Sequence, residues 1–465
     1  MGRVTRIVIV GGGPGGYESA LVAAQLGAEV TVVDRDGMGG SCVLTDCVPS
    51  KALIATSDSL TALRDAGRLG IHAEDARVDL VSVNDRIKAL ARQQSDDIRA
   101  RLVREGVTVL TGAGRFAPEQ DARRHRVEVV ADGEVCDRLA ADVVLLATGG
   151  TPRVLPGAVP DGERILSWRD VYDLKEMPEH LVVVGSGVTG AEFASGYSEL
   201  GVPVTLVSSR DRVLPGEDAD AAAVIERVFT ERGGTLVKRA RASAVRRTDD
   251  GVVVELQDGR TVGGSHALMC VGSVPNTSGL GLERAGVAVS EAGFIEVDRV
   301  SRTNVPGIYA AGDCTGVLLL ASVAGMQGRI AMWHALGAAV APLRLKTVAA
   351  NVFTHPEIAT VGIGSTRADD VDARTVTLPL AGNPRAKMHG IREGFVKLYA
   401  RKATGAVIGA VVVAPEASEL IFPFTLAVHK GLTVDDLAAT ISVYPSLSGS
   451  LAEAGRRLMS HDDLD

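Results

Sequence analysis

The sequence has no long apolar run, no excess of positive charge and no cysteine framework, and each absence removes a class of protein. Its 465 residues hold 49 Lys and Arg against 57 Asp and Glu, a formal charge of -8. No basic run offers clustered charge to a phosphate backbone, so nucleic acid is not an expected partner. The apolar run that opens at Arg6 ends in a glycine-rich turn, far short of the ~20 residues that cross a bilayer, and no small-residue cleavage site follows. No membrane span and no secretory signal are expected. Five cysteines, odd in number and sparse, exclude the stapled framework of a small secreted domain. A cytoplasmic location is therefore expected, where a close cysteine pair reads as redox or metal chemistry. Aromatic residues make up only 3% of the chain, yet 46% of it is hydrophobic, enough for large buried cores and too much for disorder. Glycine is abundant at 53 residues but neither periodic nor paired with high proline, so the surplus belongs at specific turns.

Two of those turns repeat one pattern. Arg6 to Val10 is a short β-branched run, followed by Gly11-Gly12-Gly13-Pro14-Gly15-Gly16, a helical stretch to about Gly27, a strand from Val30 to Val33, and Asp34. This is the spacing of a dinucleotide fingerprint. Gly11 makes the tight turn, Gly13 admits a pyrophosphate to the backbone, Gly16 lets helix and strand pack, and Asp34 can bond a ribose hydroxyl. The pattern recurs at Leu181 to Val184, then Gly185-Ser186-Gly187-Val188-Thr189-Gly190, a helix, and Val202 to Val207. Asp34 lies 18 residues after Gly16, and 18 residues after Gly190 stands Ser208. The missing carboxylate, with Arg210 and Arg212 just beyond, favours NADP over NAD, with Ser209 and Arg210 as phosphate ligands; solvated loop arginines and acceptance of NADH are the alternative. One site with an acid and one without read as FAD and an exchangeable nicotinamide nucleotide, hence a flavin oxidoreductase. Val143 to Ala147 looks like a buried strand ending in Thr148-Gly149, and Ile308 to Ala311 runs into Gly312-Asp313. Asp313 is expected either to bind polyhydroxyl groups or to cap a helix.

Between the first nucleotide unit and the next helix lies Gly39-Gly40-Ser41-Cys42-Val43-Leu44-Thr45-Asp46-Cys47-Val48-Pro49-Ser50-Lys51. In an ideal helix, residues five apart are too distant for a relaxed disulfide, so Cys42 and Cys47 could be bridged only if an irregular turn precedes the helix. Pro49 suits a first helical turn, which puts Cys47 at the positive end of a helix dipole and predicts its thiolate to be stabilised. A zinc site at the pair lacks a second Cys or His pair at ligand spacing, so no metal is expected.

This stretch closely resembles the redox segment of the flavoprotein disulfide reductases, the family of lipoamide dehydrogenase and glutathione reductase. The resemblance continues through both glycine motifs, Ala147-Thr148-Gly149, Val274-Pro275-Asn276, Gly312-Asp313 and Val352-Phe353-Thr354 with Pro356-Glu357, so it covers essentially the whole chain. It implies an α/β fold of two Rossmann-like dinucleotide-binding domains and a C-terminal α+β dimerisation domain. The implied boundaries are 1–152 and 277–345 for FAD, 153–276 for NAD(P), and 346–465 for the interface of a homodimer. It further implies that Cys47 is the flavin-side sulfur, that Cys42 is the interchange sulfur, and that Lys51 pairs with Glu192 near the flavin. Gly40, Ser41, Lys51, Gly114, Thr148, Gly149, Gly312, Asp313 and Ala321 complete the expected FAD contacts, and Gly272 joins Gly185, Gly187, Val188, Gly190, Ser208, Ser209 and Arg210 at NAD(P).

The pattern breaks at the C-terminus. Where the family carries His-x-His-Pro followed by a Glu, this chain reads Ser442-Val443-Tyr444-Pro445-Ser446-Leu447-Ser448-Gly449. Tyr444 stands in the place of the proton-shuttling histidine and Gly449 in that of its orienting glutamate. Thiol exchange needs a thiolate to attack and a proton for the departing sulfur. A phenol with a pKa near 10 replaces imidazole poorly, and such acid–base help is worth about 10² to 10⁴ in rate. Val188 replaces a gating tyrosine, and Ser322 and Gln327 replace a histidine and a glutamate. The chain resembles an actinobacterial-type subset of lipoamide-dehydrogenase-like proteins with Tyr-Pro-Ser-Leu-Ser-Gly, associated with NAD(P)H quinone reduction. Hydride passage from NADPH, or NADH, through flavin to a quinone or similar diffusible acceptor is the leading expectation, with Tyr444 facing the partner subunit's flavin pocket. A disulfide reductase using Cys42 and Cys47 is the alternative, and a flavin-stabilised accessory subunit a third.

Overall fold

The β-branched runs form strands where alternating residues are buried on both faces, the pattern a parallel sheet covered by helices on one side and a second layer on the other demands. The computed structural model describes residues 4–72, 76–120, 124–364 and 371–459. The chain divides into two compact units, Met1–Ala52 with Asn84–Arg153 and Gly272–Leu343, and Leu53–Val83 with Val154–Val271 and Arg344–Asp465.

In the first unit, β1 (Arg6–Val10), α1 (Pro14–Gln25) and β2 (Glu29–Asp34) make the first strand–helix–strand turn. The five-stranded parallel sheet runs in the order Ile308–Ala310, Val143–Leu146, β1, β2, Thr108–Thr111. Ile7 and Ile9 of β1 face a core shared with Ala20 and Ala23 of α1. Val8 and Val10 face the opposite core, with Phe116, Val127 and Val129 from a three-stranded antiparallel sheet. Period-two alternation along one strand thus fills two cores. After β2 come α2 (Gly40–Leu44) and α3 (Cys47–Asp65), separated only by Thr45 and Asp46.

The second unit repeats the plan with β3 (Leu181–Val184), α4 (Val188–Glu199), β4 (Val204–Val207) and α5 (Ala219–Glu231). Its parallel sheet runs Thr235–Val237, β4, β3, His266–Met269, Ile165–Leu166. Val182 and Val184 pack on Val252 and Val254 of an antiparallel layer. The C-terminal part of this unit is a five-stranded antiparallel sheet in the order Ala349–Val352, Glu357–Gly362, Val407–Ala414, Phe395–Arg401, Ala373–Pro379. Phe424, Ala427, Leu451 and Ala454 from its helices cover one face. The molecule is therefore an α/β protein with two Rossmann-like layers and a C-terminal α+β portion. No helix among the described residues is long and apolar enough to cross a membrane.

Candidate active site

The two glycine turns are built alike. Gly11 has φ +107°, and a Cβ there would stand 2.2 Å from Ala147 O; a Cβ on Gly16 would stand 1.8 Å from Gly11 O. Gly185 and Gly190 repeat both contacts, at 2.1 Å to Cys270 O and 1.8 Å to Gly185 O. Gly13 and Gly187 differ, because a Cβ on either meets nothing within 4 Å. Those two glycines are the N-caps of α1 and α4, and neither helix has a side-chain cap. The first-turn amides and the positive dipole ends thus face open space bordered by glycine, the arrangement that binds a pyrophosphate.

The residues after β2 and β4 occupy matching places. Val10 pairs with Val33 and Val184 with Val207, so Asp34 and Ser208 each follow the same register position. Asp34 Oδ2 accepts the Gly12 amide at 2.6 Å, while its Oδ1 accepts from Asp36 N and Gly37 N at 2.8 Å. Ser208 is fully buried, and its Oγ lies 2.6 Å from the Oγ of Ser186, which stands where Gly12 stands in the first turn. Ser208 Oγ also accepts from Arg210 N at 3.1 Å, whereas Ser209 and Arg210 themselves are exposed. Val188, the first residue of α4, has its side chain exposed. Gly272 has φ +93° and nothing within 4 Å of a Cβ.

Around the first turn, the loop at Gly39 and Gly40 crosses directly over it. Gly39 N donates to Gly12 O at 2.8 Å, and a Cβ on Gly40, at φ +57°, would stand 2.9 Å from Gly13 Cα. Ser41 is the second residue of α2, its carbonyl accepting Thr45 N at 2.9 Å. Gly114 packs on Val10, where a Cβ would meet the valine methyls at 2.8 Å. Thr148 and Gly149 are tied to Asn276 by Thr148 Oγ1 to Asn276 O (2.7 Å), Asn276 Nδ2 to Thr148 O (2.9 Å) and Asn276 N to Gly149 O (2.9 Å).

Gly312 caps a short 3-10 turn that begins at Asp313, so Asp313 is not itself the cap. Its carboxyl is pushed up to about 6, first by burial and then by the charge of Asp46. A half-buried carboxyl raised in this way fits a hydroxyl-rich ligand that would donate to it. Gln327, 1% exposed, accepts the Gly312 amide at 2.9 Å and so fixes the turn. Ala321 opens the helix Ala321–Ala335. The residues of this unit fit FAD.

Cys42 lies in α2 and Cys47 is the first residue of α3, so the irregular turn required for their approach is the break at Thr45 and Asp46. Both are half-buried free thiols, and each shifts the other's titration. The direction of each shift runs against the expectation from the helix dipole. Cys42 is the thiol whose pKa is lowered, by its hydrogen bond with Cys47 against burial and Asp46, with Lys51 assisting. Cys47 is raised, by the same bond, then by burial and by Asp46. Burial and the adjacent Asp46 carboxylate both oppose a thiolate at Cys47, against the pull of the helix end. Lys51 lies one turn into α3, half-buried. Asp46 had no role in the sequence reading; its only signal was an acid placed immediately before a cysteine.

In the second unit Glu192 is 3% exposed, and its Oε1 accepts the Phe353 amide at 2.9 Å. Tyr444 is 82% exposed, beside Ile441 and Val443, which are 98% and 77% exposed. Gly449 opens the helix Gly449–Leu458, and its amide donates to Ser446 Oγ at 3.1 Å. A group also missed in the sequence is Asp58, Glu199 and His355, contributed by three distant segments.

Comparison with known proteins decides the family. Residues 5–328 match the family described as pyridine nucleotide-disulphide oxidoreductase, and residues 348–455 match its dimerisation domain. The chain belongs to the pyridine nucleotide-disulphide oxidoreductases. It binds FAD and NAD(P) as members of that family do. It is similar to a Mycobacterium tuberculosis protein named NAD(P)H dehydrogenase (quinone), 60% identical over 99% of this chain and 95% of the relative. It is 33% identical to the dihydrolipoyl dehydrogenase of Geobacillus stearothermophilus over 97% and 95% of the two chains. The crystal structure of LpdA from Mycobacterium tuberculosis superposes with a TM-score of 0.95 at 59% identity, covering 98% of this chain and 100% of that one. The HOCl-induced flavoprotein disulfide reductase RclA from Escherichia coli gives 0.85 at 25% identity, over 98% and 100%.

Proposed function

We propose that the chain is an FAD-dependent NAD(P)H:quinone oxidoreductase, catalysing NADPH + H⁺ + quinone → NADP⁺ + hydroquinone. The observation that carries this reading is the side chain at 444. A phenol stands there in place of imidazole, with glycine at 449 in place of a carboxylate, so the chain lacks the proton carrier that disulfide exchange requires. Quinone reduction needs no such carrier, and a relative 60% identical is named for that activity.

Bound flavin supplies a two-electron acceptor for hydride and a donor to the quinone. The chain's own part is to hold and orient the reactants. The amides at the start of α1, with Gly11, Gly13 and Gly16, hold the pyrophosphate of FAD; Asp34 holds its ribose, and Asp313, fixed through Gly312 and Gln327, accepts from its hydroxyls. Gly40, Ser41, Gly114, Thr148, Gly149 and Ala321 line the same ligand. The second turn, Gly185, Gly187, Val188 and Gly190 with Gly272, takes the nicotinamide nucleotide. Ser208 in the place of an acid leaves room for a 2′-phosphate, held by Ser209 and Arg210, so NADPH is preferred and NADH accepted. Lys51, for which the family's pattern offers Glu192 as partner, places positive charge where electron density arrives. On this reading residues 1–152 and 277–345 serve FAD, 153–276 the nicotinamide, and 346–465 the interface of a cytoplasmic homodimer in which Tyr444 faces the partner's pocket.

Steady-state NADPH oxidation by the purified yellow protein, with a quinone set beside lipoamide and glutathione disulfide, tests the proposal. Fast quinone turnover with negligible disulfide turnover is expected, and Cys42→Ser should keep quinone turnover within about twofold, since the hydride route bypasses the sulfurs. The second reading, a disulfide reductase, is favoured by the retained pair, for which the helix break at Thr45 and Asp46 supplies the turn and in which the Cys42 thiol is lowered. Loss of quinone turnover in Cys42→Ser would establish that electrons pass through the pair and replace the first reading by the second.

A further inference from the structure

A histidine and two carboxylates meet in the second unit, outside its glycine turn. Asp58 lies on α3, Glu199 is the last residue of α4, and His355 follows the strand Ala349–Val352. One ligating atom of each lies within 4.8 Å of the other two. His355 Nδ1 is 3.0 Å from Asp58 Oδ1 and 3.9 Å from Glu199 Oε2. Nitrogen and oxygen ligands about 2.0–2.1 Å from a common ion in tetrahedral geometry stand about 3.3 Å from each other, and the two distances bracket that value.

The donors are held in place by neighbours that would orient ligands. Ser195 Oγ donates to Glu199 Oε1 at 2.8 Å and accepts the His355 amide at 3.1 Å, tying two of the three together. Arg232 Nη1 sits 3.3 Å from the same Oε1, which leaves Oε2 towards the imidazole. Supports of this kind fix ring and carboxylate orientation around metals. The Glu199 side chain is 2% exposed, whereas those of Asp58 and His355 are 46% and 30% exposed. Asp58 and His355 also line a cavity of about 1230 Å³, so an ion has a path from that side.

We propose that Asp58, Glu199 and His355 bind a divalent transition-metal ion, for which Zn²⁺ is the probe. Two carboxylates balance the charge of the ion, and a set of one nitrogen and two oxygens suits Zn²⁺ rather than a thiol-seeking ion such as Cu⁺. With Nδ1 and a carboxylate oxygen 3.0 Å apart, either a proton or a cation must lie between the two acceptors. The ion takes that place, and the neutral imidazole then keeps its one proton on Nε2. It joins α3 to α4, the helix that carries the nicotinamide turn at its other end.

The test is calorimetric titration with ZnCl₂ of FAD-loaded protein carrying Cys42→Ser, Cys47→Ser and Cys136→Ser, which removes the accessible competing sulfurs. One ion per chain is expected, and both Asp58→Asn and His355→Ala should weaken binding at least about tenfold. The melting temperature of the parent should rise with Zn²⁺, and that rise should vanish in both variants. Asp58 is partly exposed, so Asp58→Asn keeps the fold and remains a fair test even if His355→Ala does not express. Absence of binding at millimolar Zn²⁺, or unchanged affinity in Asp58→Asn, overturns the proposal. The readout is independent of quinone turnover, so failure here leaves the enzyme assignment standing.

Discussion

At the scale of single residues, the proposed function makes nucleotide choice turn on a pair of positions. Asp34 reaches the Gly12 amide because nothing projects from residue 12, whereas the Ser186 and Ser208 hydroxyls meet at 2.6 Å in the matching space. Ser208→Glu alone would press a longer acid against Ser186 in a fully buried position. Ser208→Asp combined with Ser186→Gly instead recreates the arrangement of the first turn. A carboxylate there bonds the ribose hydroxyls and repels a 2′-phosphate. The double variant should therefore shift the ratio of kcat/KM for NADPH over NADH at least about tenfold towards NADH, a discrimination of about 1.4 kcal/mol. Initial rates with both nucleotides at fixed quinone measure it; an unchanged ratio removes Ser208 and Arg210 from nucleotide recognition.

At the scale of elements, α5 is fastened to the C-terminal sheet by a buried ion pair. Asp218 caps the helix, its side chain accepting from the amides of Asp220 and Ala221, and it also accepts from Lys397 Nζ at 2.7 Å and the Tyr399 hydroxyl at 3.1 Å. Asp218 and Lys397 have side chains 1% and 5% exposed. Burial alone would raise the Asp218 pKa, but the hydrogen bond and charge of Lys397 hold it below the usual carboxylate range. Asp218→Asn keeps a capping oxygen and removes the charge, so it isolates the ion pair. Breaking a buried pair costs about 3 kcal/mol or more. Asp220, also 2.7 Å from Lys397 but 71% exposed, should cost far less when replaced by Ala. A carboxyl depressed in the folded state contributes stability above its unfolded pKa, near 3.9, and loses it as pH falls through the folded value. The gap between wild type and Asp218→Asn in urea midpoints, at fixed FAD, should thus be full at pH 7 and shrink below about pH 4. A gap independent of pH would assign the effect to packing. This fastening and the Asp58–Glu199–His355 group were invisible in the sequence because their members lie more than a hundred residues apart, with no shared period. The glycine turns were legible because strand, turn and helix are consecutive, so local sterics fix them. The cysteine segment was half legible: its turn followed from Pro49, but the direction of each thiol depends on burial and on how the partner thiol, Asp46 and Lys51 face it, which spacing cannot reveal.

At the scale of the whole molecule, the departure at 444 matters only if its side chain meets another chain. Tyr444, Val443 and Ile441 are largely solvent-exposed in the single chain, as is Phe422 at 68%, within the segment that matches a dimerisation domain. Large apolar side chains left exposed in a dimerisation segment mark an interaction site, and a homodimer is the partner in the proposed function. If Tyr444 takes the place of a proton carrier across that interface, then Tyr444→His with Gly449→Glu should restore one. The backbone accommodates the second change, because a Cβ on Gly449 meets only the hydroxyls of Ser442 and Ser446, both at 3.7 Å. Restored acid–base help is worth about 10² or more in rate, so even a poorly placed imidazole should raise lipoamide or glutathione disulfide turnover at least about tenfold. Ile441→Glu buries a charge in the proposed interface and should yield monomers by sedimentation. In the triple variant the gained disulfide turnover should vanish together with the dimer. Gain that persists in a monomer would place position 444 in its own subunit's pocket, and no gain in a dimer would remove the missing imidazole as the reason for slow disulfide chemistry.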